Sequence, residues 1–332
     1  MPVLRITAPL DGCCPFDETA QSYWRSSGKT VTSFFSPMID AVRPIVIAWE
    51  YEGEAAGFTV TYGRSDSTDS VTLRLPPSAR FAEVYNLYKA TAYTVRVTAE
   101  GNAPQTAEHT FTTADFGPRV LHVPKVANLR DCGGYAAGDT FVKQGLVYRG
   151  STLTPTADFP SVELTDEGRR VLLEDLGIRT EIDLRSEQEA KAPTPPLPID
   201  RVFCTVNGYL EYLEQYREGY RRCFALLADE CRYPVYFHCT GGADRTGTVA
   251  FLLGALLGVS EEELVKDYEF TSFSSYGLRD SRVGTYSSYF QMMKTALDAC
   301  DGETLQQKTE SLLLSIGVTP AEMAAIQENL LQ

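Results

Sequence analysis

Apolar and polar positions follow two different rhythms along the chain, and the change between them falls at residues 114–118. In the first third, β-branched and aromatic residues alternate with polar ones, and turn residues recur every ten positions or so, the rhythm of strands with one buried face. The strands this predicts cover residues 45–49, 58–62, 71–75, 93–99 and 106–112, with turns at 66–70 and 101–104. An antiparallel β-sandwich over residues 1–113 follows, with Trp49 and Tyr93 in its core. Residues 1–30 read either as a first strand with an insertion or as a wrapping arm. After the linker at 114–118, strands alternate with helices. A strand at 145–148 is followed by a helix that Thr165 caps and Gly177 ends, then by a strand at 180–184 and a stiff proline-rich loop at 193–198. A helix over 209–228, a short buried strand at 233–237 and a buried helix at 248–257 come next. Ser260 and Glu263 form a capping box opening another helix, and the apolar period running through 324–331 indicates a closing one. Residues 119–332 are therefore expected to form an α/β domain with a central, mostly parallel sheet flanked by helices, and ligand beyond the carboxyl ends of its strands.

Composition narrows the classes. A chain of 332 residues is long enough for two hydrophobic cores, and 43% hydrophobic with 22% charged residues is the balance of an ordinary globular protein. No apolar run reaches the 18 or so residues of a membrane span. The first ten residues lack the charged and apolar blocks of a signal peptide, so the expectation is a cytoplasmic protein, or a secreted one whose leader has been removed. A net charge of −14 with no basic run argues against a nucleic-acid partner, and it handicaps binding to anionic membranes unless a local basic patch overrides it. Eight cysteines without a Cys-x-x-Cys, and only three histidines, argue against zinc. A bridge between adjacent Cys13 and Cys14 would be strained, and reduced thiols are the simpler expectation.

The chemistry concentrates in His238-Cys239-Thr240-Gly241-Gly242-Ala243-Asp244-Arg245-Thr246-Gly247, between a predicted strand and a predicted helix. Strand, tight loop and helix aim successive N–H groups and a helix N-terminus at one anion, and glycines permit the backbone angles of such a nest. In the same field, amide dipoles and a guanidinium favour a cysteine thiolate. The stretch resembles the P-loop of the cysteine-dependent protein tyrosine phosphatase superfamily, His-Cys-x-x-Gly-x-x-Arg-Ser/Thr-Gly. Residues 128–135, 145–151, 182–186 with Glu189, and Asp267-Tyr268 are similar to the bacterial branch that includes secreted dual-specificity and phosphoinositide phosphatases. The first third resembles a fibronectin type III module at Trp49, Tyr62 and Leu87 followed by residues 93–97, although the usual proline after Leu87 is absent. Tyr93 would be its corner tyrosine, tying its hydroxyl to nearby backbone.

What the resemblance implies is a hydrolase acting on phosphate monoesters without metal or other cofactor. Cys239 attacks phosphorus and forms a phosphocysteine intermediate. The backbone of Thr240, Gly241, Gly242, Ala243, Asp244 and Arg245, with the fork of Arg245, holds the equatorial oxygens. Thr246 donates its hydroxyl to the thiolate, or else serves as a plain helix cap, and His238 steadies the loop. No Trp-Pro-Asp supplies a general acid, since the only tryptophans are Trp24 and Trp49. The candidates are Asp244 first, then Asp183, with Asp200 also open. Asp183 reads more readily as a structural partner for arginines such as Arg185 or Arg130, and those arginines with Asp131 also read as buried ion pairs that merely brace the loop. Ala243 stands where phosphoinositide-hydrolysing relatives often carry lysine, so phosphotyrosine is the first choice of substrate, with phosphoinositides or inositol phosphates (a phytase-like activity) second. A non-catalytic scaffold that only binds phospho-ligands is the alternative from another class. The β-sandwich leaves room for a protein partner.

Overall fold

The computed structural model describes residues 3–36, 41–156, 163–190 and 196–332. The chain divides into two compact units, Met1–Asp17 with Val42–Arg119, and Glu18–Ala41 with Val120–Gln332. This partition differs from the expected 1–113 and 119–332, because Glu18–Ala41 leaves the first unit's sequence to pack within the second.

Seven strands build the first unit: β1 (Leu4–Ala8), β2 (Ile45–Tyr51), β3 (Gly57–Arg64), β4 (Val71–Leu75), β5 (Phe81–Val84), β6 (Ala92–Glu100) and β7 (Gln105–Thr112). They form two antiparallel sheets, ordered β1–β2–β5 and β4–β3–β6–β7. Alternate residues of β2 (Ile45, Ile47, Trp49, Tyr51) and β6 (Tyr93, Val95, Val97, Ala99) share one core with Phe58, Val60 and Phe111. Strand β1 falls in the stretch read as a first strand or a wrapping arm, and β5 was not expected. At four residues, β5 offers too few apolar positions for its period to show. The Tyr93 hydroxyl accepts the Tyr88 N–H at 2.8 Å. Residues 114–118, expected as a linker, are held within this unit. The Ala114 N–H donates to the Cys13 carbonyl, and Arg119 donates to the carbonyls of Leu87 (3.0 Å) and Asn86 (2.7 Å) while its guanidinium lies 3.8 Å over the Tyr88 ring.

In chain order, the second unit contains α1 (Glu18–Arg25), β8 (Arg130–Asp131), β9 (Ala136–Ala137), β10 (Thr140–Phe141), β11 (Val147–Gly150), α2 (Asp166–Arg170), β12 (Thr180–Asp183) and β13 (Asp200–Phe203). Then follow α3 (Leu213–Ala228), β14 (Val235–His238), α4 (Arg245–Leu256), α5 (Glu261–Phe270), α6 (Thr285–Asp298), α7 (Leu305–Ser315) and α8 (Pro320–Leu330). Its five-stranded sheet runs β13–β12–β14–β11–β8, parallel except for β8. Every residue of β11, β12 and β14 is buried, as parallel strands covered on both faces require. Helices α5, α7 and α8 open on Ser260, Thr304 and Thr319, whose side chains each accept a backbone N–H three residues on.

Strand β13 and helices α6 and α7 were not expected, and two of the expected helices are altered. Thr165 accepts the Gly168 N–H as expected, but after α2 the helix widens into a π-turn at Val171–Asp175 before Gly177, at φ +64°, ends it. The helix expected from residue 209 starts at Leu213, because Tyr209, Leu210 and Tyr212 all take positive φ. Tyr209 is drawn out of helical geometry: its N–H donates to Thr248 Oγ1 (2.6 Å) and its hydroxyl to Asp244 Oδ1 (2.5 Å). Part of the proline-rich loop, 193–195, lies outside the described residues. Among the described residues, no helix is long and apolar enough to cross a membrane.

Candidate active site

The decapeptide spans the end of β14 and the start of α4, with Cys239 immediately beyond the strand and Arg245 as the first helical residue. Gly242 sits at φ +66°, and a Cβ there would come within 2.4 Å of the Gly150 carbonyl at the end of β11, so both conformation and space demand glycine. A Cβ on Gly241 would meet the Tyr276 ring at 2.8 Å. The loop's carbonyls are turned outward and tied down: Thr240 O accepts the Thr152 N–H, Gly241 O accepts Asn128 Nδ2 (3.1 Å) and Gly242 O accepts Arg149 Nη2 (2.9 Å). With the carbonyls fixed this way, none of the N–H groups of residues 240–245 donates to a protein acceptor among the described residues. A run of amides left in this state is what an anion cradle presents. Cys239 is buried beside them. The Thr246 hydroxyl is fully buried at the same helix start, also without a hydrogen-bond partner.

A layer of buried charge fixes the loop from behind. Arg149 Nη1 and Arg130 Nε donate to the two carboxylate oxygens of Asp267 (2.6 and 2.7 Å), with the Tyr135 hydroxyl as a third donor. Burial alone would raise the Asp267 pKa, but the two guanidinium charges outweigh it and hold the carboxyl below its usual range. On the other side, register places Asp183 opposite His238. His238 Nε2 lies 2.9 Å from Glu181 and its Nδ1 3.0 Å from the Cys239 carbonyl, which sets the imidazole as a strut under the loop. Asp183 is fully buried and accepts from Arg185 Nε and Nη2 (2.9 and 2.7 Å) and from Arg201 Nη2 (2.6 Å). Burial would raise the Asp183 pKa too, yet the neighbouring imidazole and these guanidinium bonds depress it well below the carboxylate range. Glu181, Asp183 and His238 bring three ligand-type atoms together, but Arg201 (3.1 Å from Glu181) and Arg185 already occupy the carboxylates, so this is an ion-pair layer and does not fit a metal.

At the front, Arg245 Nη1 donates to Glu189 at 3.0 Å, and Glu189 is itself positioned by the Ser186 N–H. Asp244 accepts from Arg279 through Nε (2.7 Å) and Nη2 (3.0 Å), as well as from the Tyr209 hydroxyl. Among the described residues, the Arg185 Nη1 atom is buried without a partner, two residues beyond the strand end that faces His238.

The structure thus brings His238, Cys239, Thr240, Gly241, Gly242, Ala243, Asp244, Arg245 and Thr246 into one loop, with Asp183 and Arg185 beside it. The expected partnerships change in two places. Arg130 pairs with Asp267 rather than Asp183, and exposed Asp200, at the opposite end of β13 from the loop, pairs with half-buried Arg232 and is far from any general-acid position. Asp131 accepts the N–H groups of Gly133 and Gly145, bracing a turn. Arg279 and Tyr209 were not anticipated, since each reaches the site from more than thirty residues away with no local pattern around it.

A buried thiol and the Arg245 guanidinium lie in one loop at the carboxyl ends of the parallel strands of an α/β unit, with amides that engage no protein acceptor among the described residues. The sequence profile of the tyrosine phosphatase family matches residues 121–332, and the chain belongs to that family. It is 30% identical over 129 residues to a tyrosine-protein phosphatase of Nostoc commune, covering 32% of this chain and 44% of that protein. It is 30% identical over 181 residues to a provisionally named tyrosine-protein phosphatase of Cupriavidus necator, covering 46% of this chain and 63% of that protein. The chain therefore spans 44% and 63% of these relatives' lengths. The core catalytic domain of a PP-IP phosphatase from S. cerevisiae, solved with citrate, aligns with a TM-score of 0.32 and 15% identity over 46% of this chain and 83% of that one, a likeness too slight to carry an argument. Family and relatives alike carry the name of tyrosine phosphatase.

Proposed function

We propose that this protein hydrolyses phosphate monoesters through a phosphocysteine intermediate, without a metal, and that phosphotyrosine is its substrate. The observation that carries the reading is the set of N–H groups at residues 240–245, none of which donates to a protein acceptor among the described residues, in the loop that runs from Cys239 to Arg245. In the first step, the Cys239 thiolate attacks phosphorus, the bond from phosphorus to the tyrosyl oxygen breaks, and that oxygen takes a proton from Asp244. In the second step, water attacks the phosphocysteine, its proton passes to Asp244, and sulfur leaves as thiolate, helped by the buried Thr246 hydroxyl. Throughout, the amides and the Arg245 fork carry the spread charge of the equatorial oxygens. Arg245 must exchange Glu189 for phosphate to do so. Asp183 serves only as structure, since it is fully buried beneath two arginines. Ala243, buried in the loop, brings no charge for further phosphates, which favours phosphotyrosine over inositol rings.

The first unit fits a fibronectin type III-like module, on the strength of its two antiparallel sheets and the Tyr93 hydroxyl bond to the Tyr88 backbone. The test of function is turnover of a small aryl phosphate by the purified chain in EDTA, with vanadate as inhibitor. Cys239→Ser should abolish turnover while retaining phosphate binding. Activity that EDTA removes and a divalent metal restores would overturn the mechanism.

A further inference from the structure

A cavity of about 680 Å³ opens beside Arg245, within the size range of ligand pockets. Tyr209, Tyr216, Tyr286 and Tyr289 line it, together with Glu189 and Glu211. Its charges do not balance. Glu189 is paired with Arg245, and Asp244, on the same wall, with Arg279. Glu211 accepts only the Asn207 amide, at 3.2 Å, and among the described residues no cation pairs with it. The imbalance grows during catalysis, because a phosphate that captures the Arg245 fork leaves Glu189 without its partner. Ring faces here also accept guanidinium: Arg279 lies 3.6 Å over the Tyr286 ring. Tyr289 stacks on Tyr209 at 5.6 Å and 24°, and both rings line the cavity together with Glu211.

We propose that this cavity is a subsite for a cationic side chain, lysine or arginine, flanking the phosphotyrosine of a peptide or protein substrate. It rests on the phosphomonoesterase reading above and narrows its substrate class. A carboxylate with no cation of its own among the described residues, and the tyrosine rings that line the cavity with it, attract such a side chain, whereas a second phosphate or an acidic neighbour meets like charge. The same electrostatics disfavour a multiply phosphorylated inositol ring.

The test uses the full chain and three phosphotyrosine peptides, identical except that the flanking residues are neutral, lysine/arginine or glutamate. The cationic peptide should show a kcat/KM about tenfold above the neutral one, with the acidic peptide below both, and raising the salt should narrow the spread. In Glu211→Gln and in Tyr289→Ala, the cationic-to-neutral ratio should collapse to about twofold once each variant is normalised to its own rate on a small aryl phosphate. Binding of the same peptides to Cys239→Ser should follow the same order, which reports on the subsite independently of turnover. Equal affinities across the three peptides, or a preference for glutamate or a second phosphate, overturn the subsite. Absence of aryl phosphate turnover by the unmodified chain overturns the phosphomonoesterase reading instead.

Discussion

Asp244 carries two demands that pull against each other. To protonate a leaving oxygen it must present a carboxyl oxygen bearing hydrogen, yet both of its oxygens accept from Arg279 and one also from Tyr209. The acid role therefore requires Arg279 to release at least one oxygen when substrate enters. Asp244→Asn should slow tyrosyl and alkyl phosphates on the order of 100-fold, leave activated aryl phosphates nearly unchanged, and flatten the basic limb of the pH–rate profile. An equal loss on all substrates would assign Asp244 to bracing alone. Arg245→Lys tests the other half of the site. A lysine replaces a two-pronged contact with a point charge, so kcat/KM should fall on the order of 100-fold, equivalent to about 3 kcal/mol of transition-state stabilisation. The loop residues were legible in the sequence because their chemistry is local: a thiol, two glycines and an arginine in fixed register. The partners of Asp244 were not, because Arg279 arrives from a turn after α5 whose own neighbours show no periodicity pointing to it.

Strand register, rather than any single contact, decides how acid attacks this unit. Strand β12 supplies Glu181 and Asp183, and helix α5 supplies Asp267, and these three buried carboxylates pair with four arginines. The folded-state pKa values of Asp183 and Asp267 lie below the unfolded value of about 3.9, so their contribution is complete above that pH and is lost as pH falls through the folded values. Denaturant midpoints should be flat between about pH 6 and 7 and fall steeply below about pH 4. Asp267→Asn should cost about 3–5 kcal/mol at neutral pH by stranding Arg130 and Arg149, and should shallow that acid limb. A second element-level test is Gly242→Ala, where the left-handed backbone and the 2.4 Å approach to Gly150 combine. It should destabilise by about 2 kcal/mol or more in urea melts and remove activity with it. A continuous apolar run located α4, a capping box located the start of α5, and apolar periodicity located α8, each within a few residues. Periodicity misplaced the start of α3, where Tyr209 gives up helical geometry for bonds to Thr248 and Asp244 that lie at the loop and cannot be seen along the chain.

The division of the molecule was the least legible feature, and for a physical reason. A change of rhythm at 114–118 marks where strands give way to alternating elements, but it carries no information about a segment that doubles back from earlier in the chain. Glu18–Ala41 does so. Tyr23 is buried and donates its hydroxyl to Glu269, its ring 5.5 Å from that of Phe273. Glu269 also accepts from Ser281, so a buried carboxylate depends on this segment for one of its donors. Trp24 packs against Phe270 and Tyr135, Lys266 donates to the Trp24 carbonyl, Thr32 Oγ1 donates to Asp280 (2.7 Å), and the Ala41 N–H reaches the Phe273 carbonyl (3.0 Å). At about 25 cal/mol per Å², and about 150 Å² or more for each large aromatic, Tyr23 and Trp24 alone represent on the order of 7 kcal/mol. That is comparable with the whole stability of a typical domain, about 5–15 kcal/mol. A fragment cut at the apparent boundary, residues 120–332, should therefore unfold or aggregate where the full chain melts cooperatively. Joining residues 18–41 to its N-terminus through a flexible linker of about 20 residues should restore a cooperative melt and aryl phosphatase activity. A bare 120–332 fragment as stable as the full chain would show that the segment is an ornament on a self-sufficient core.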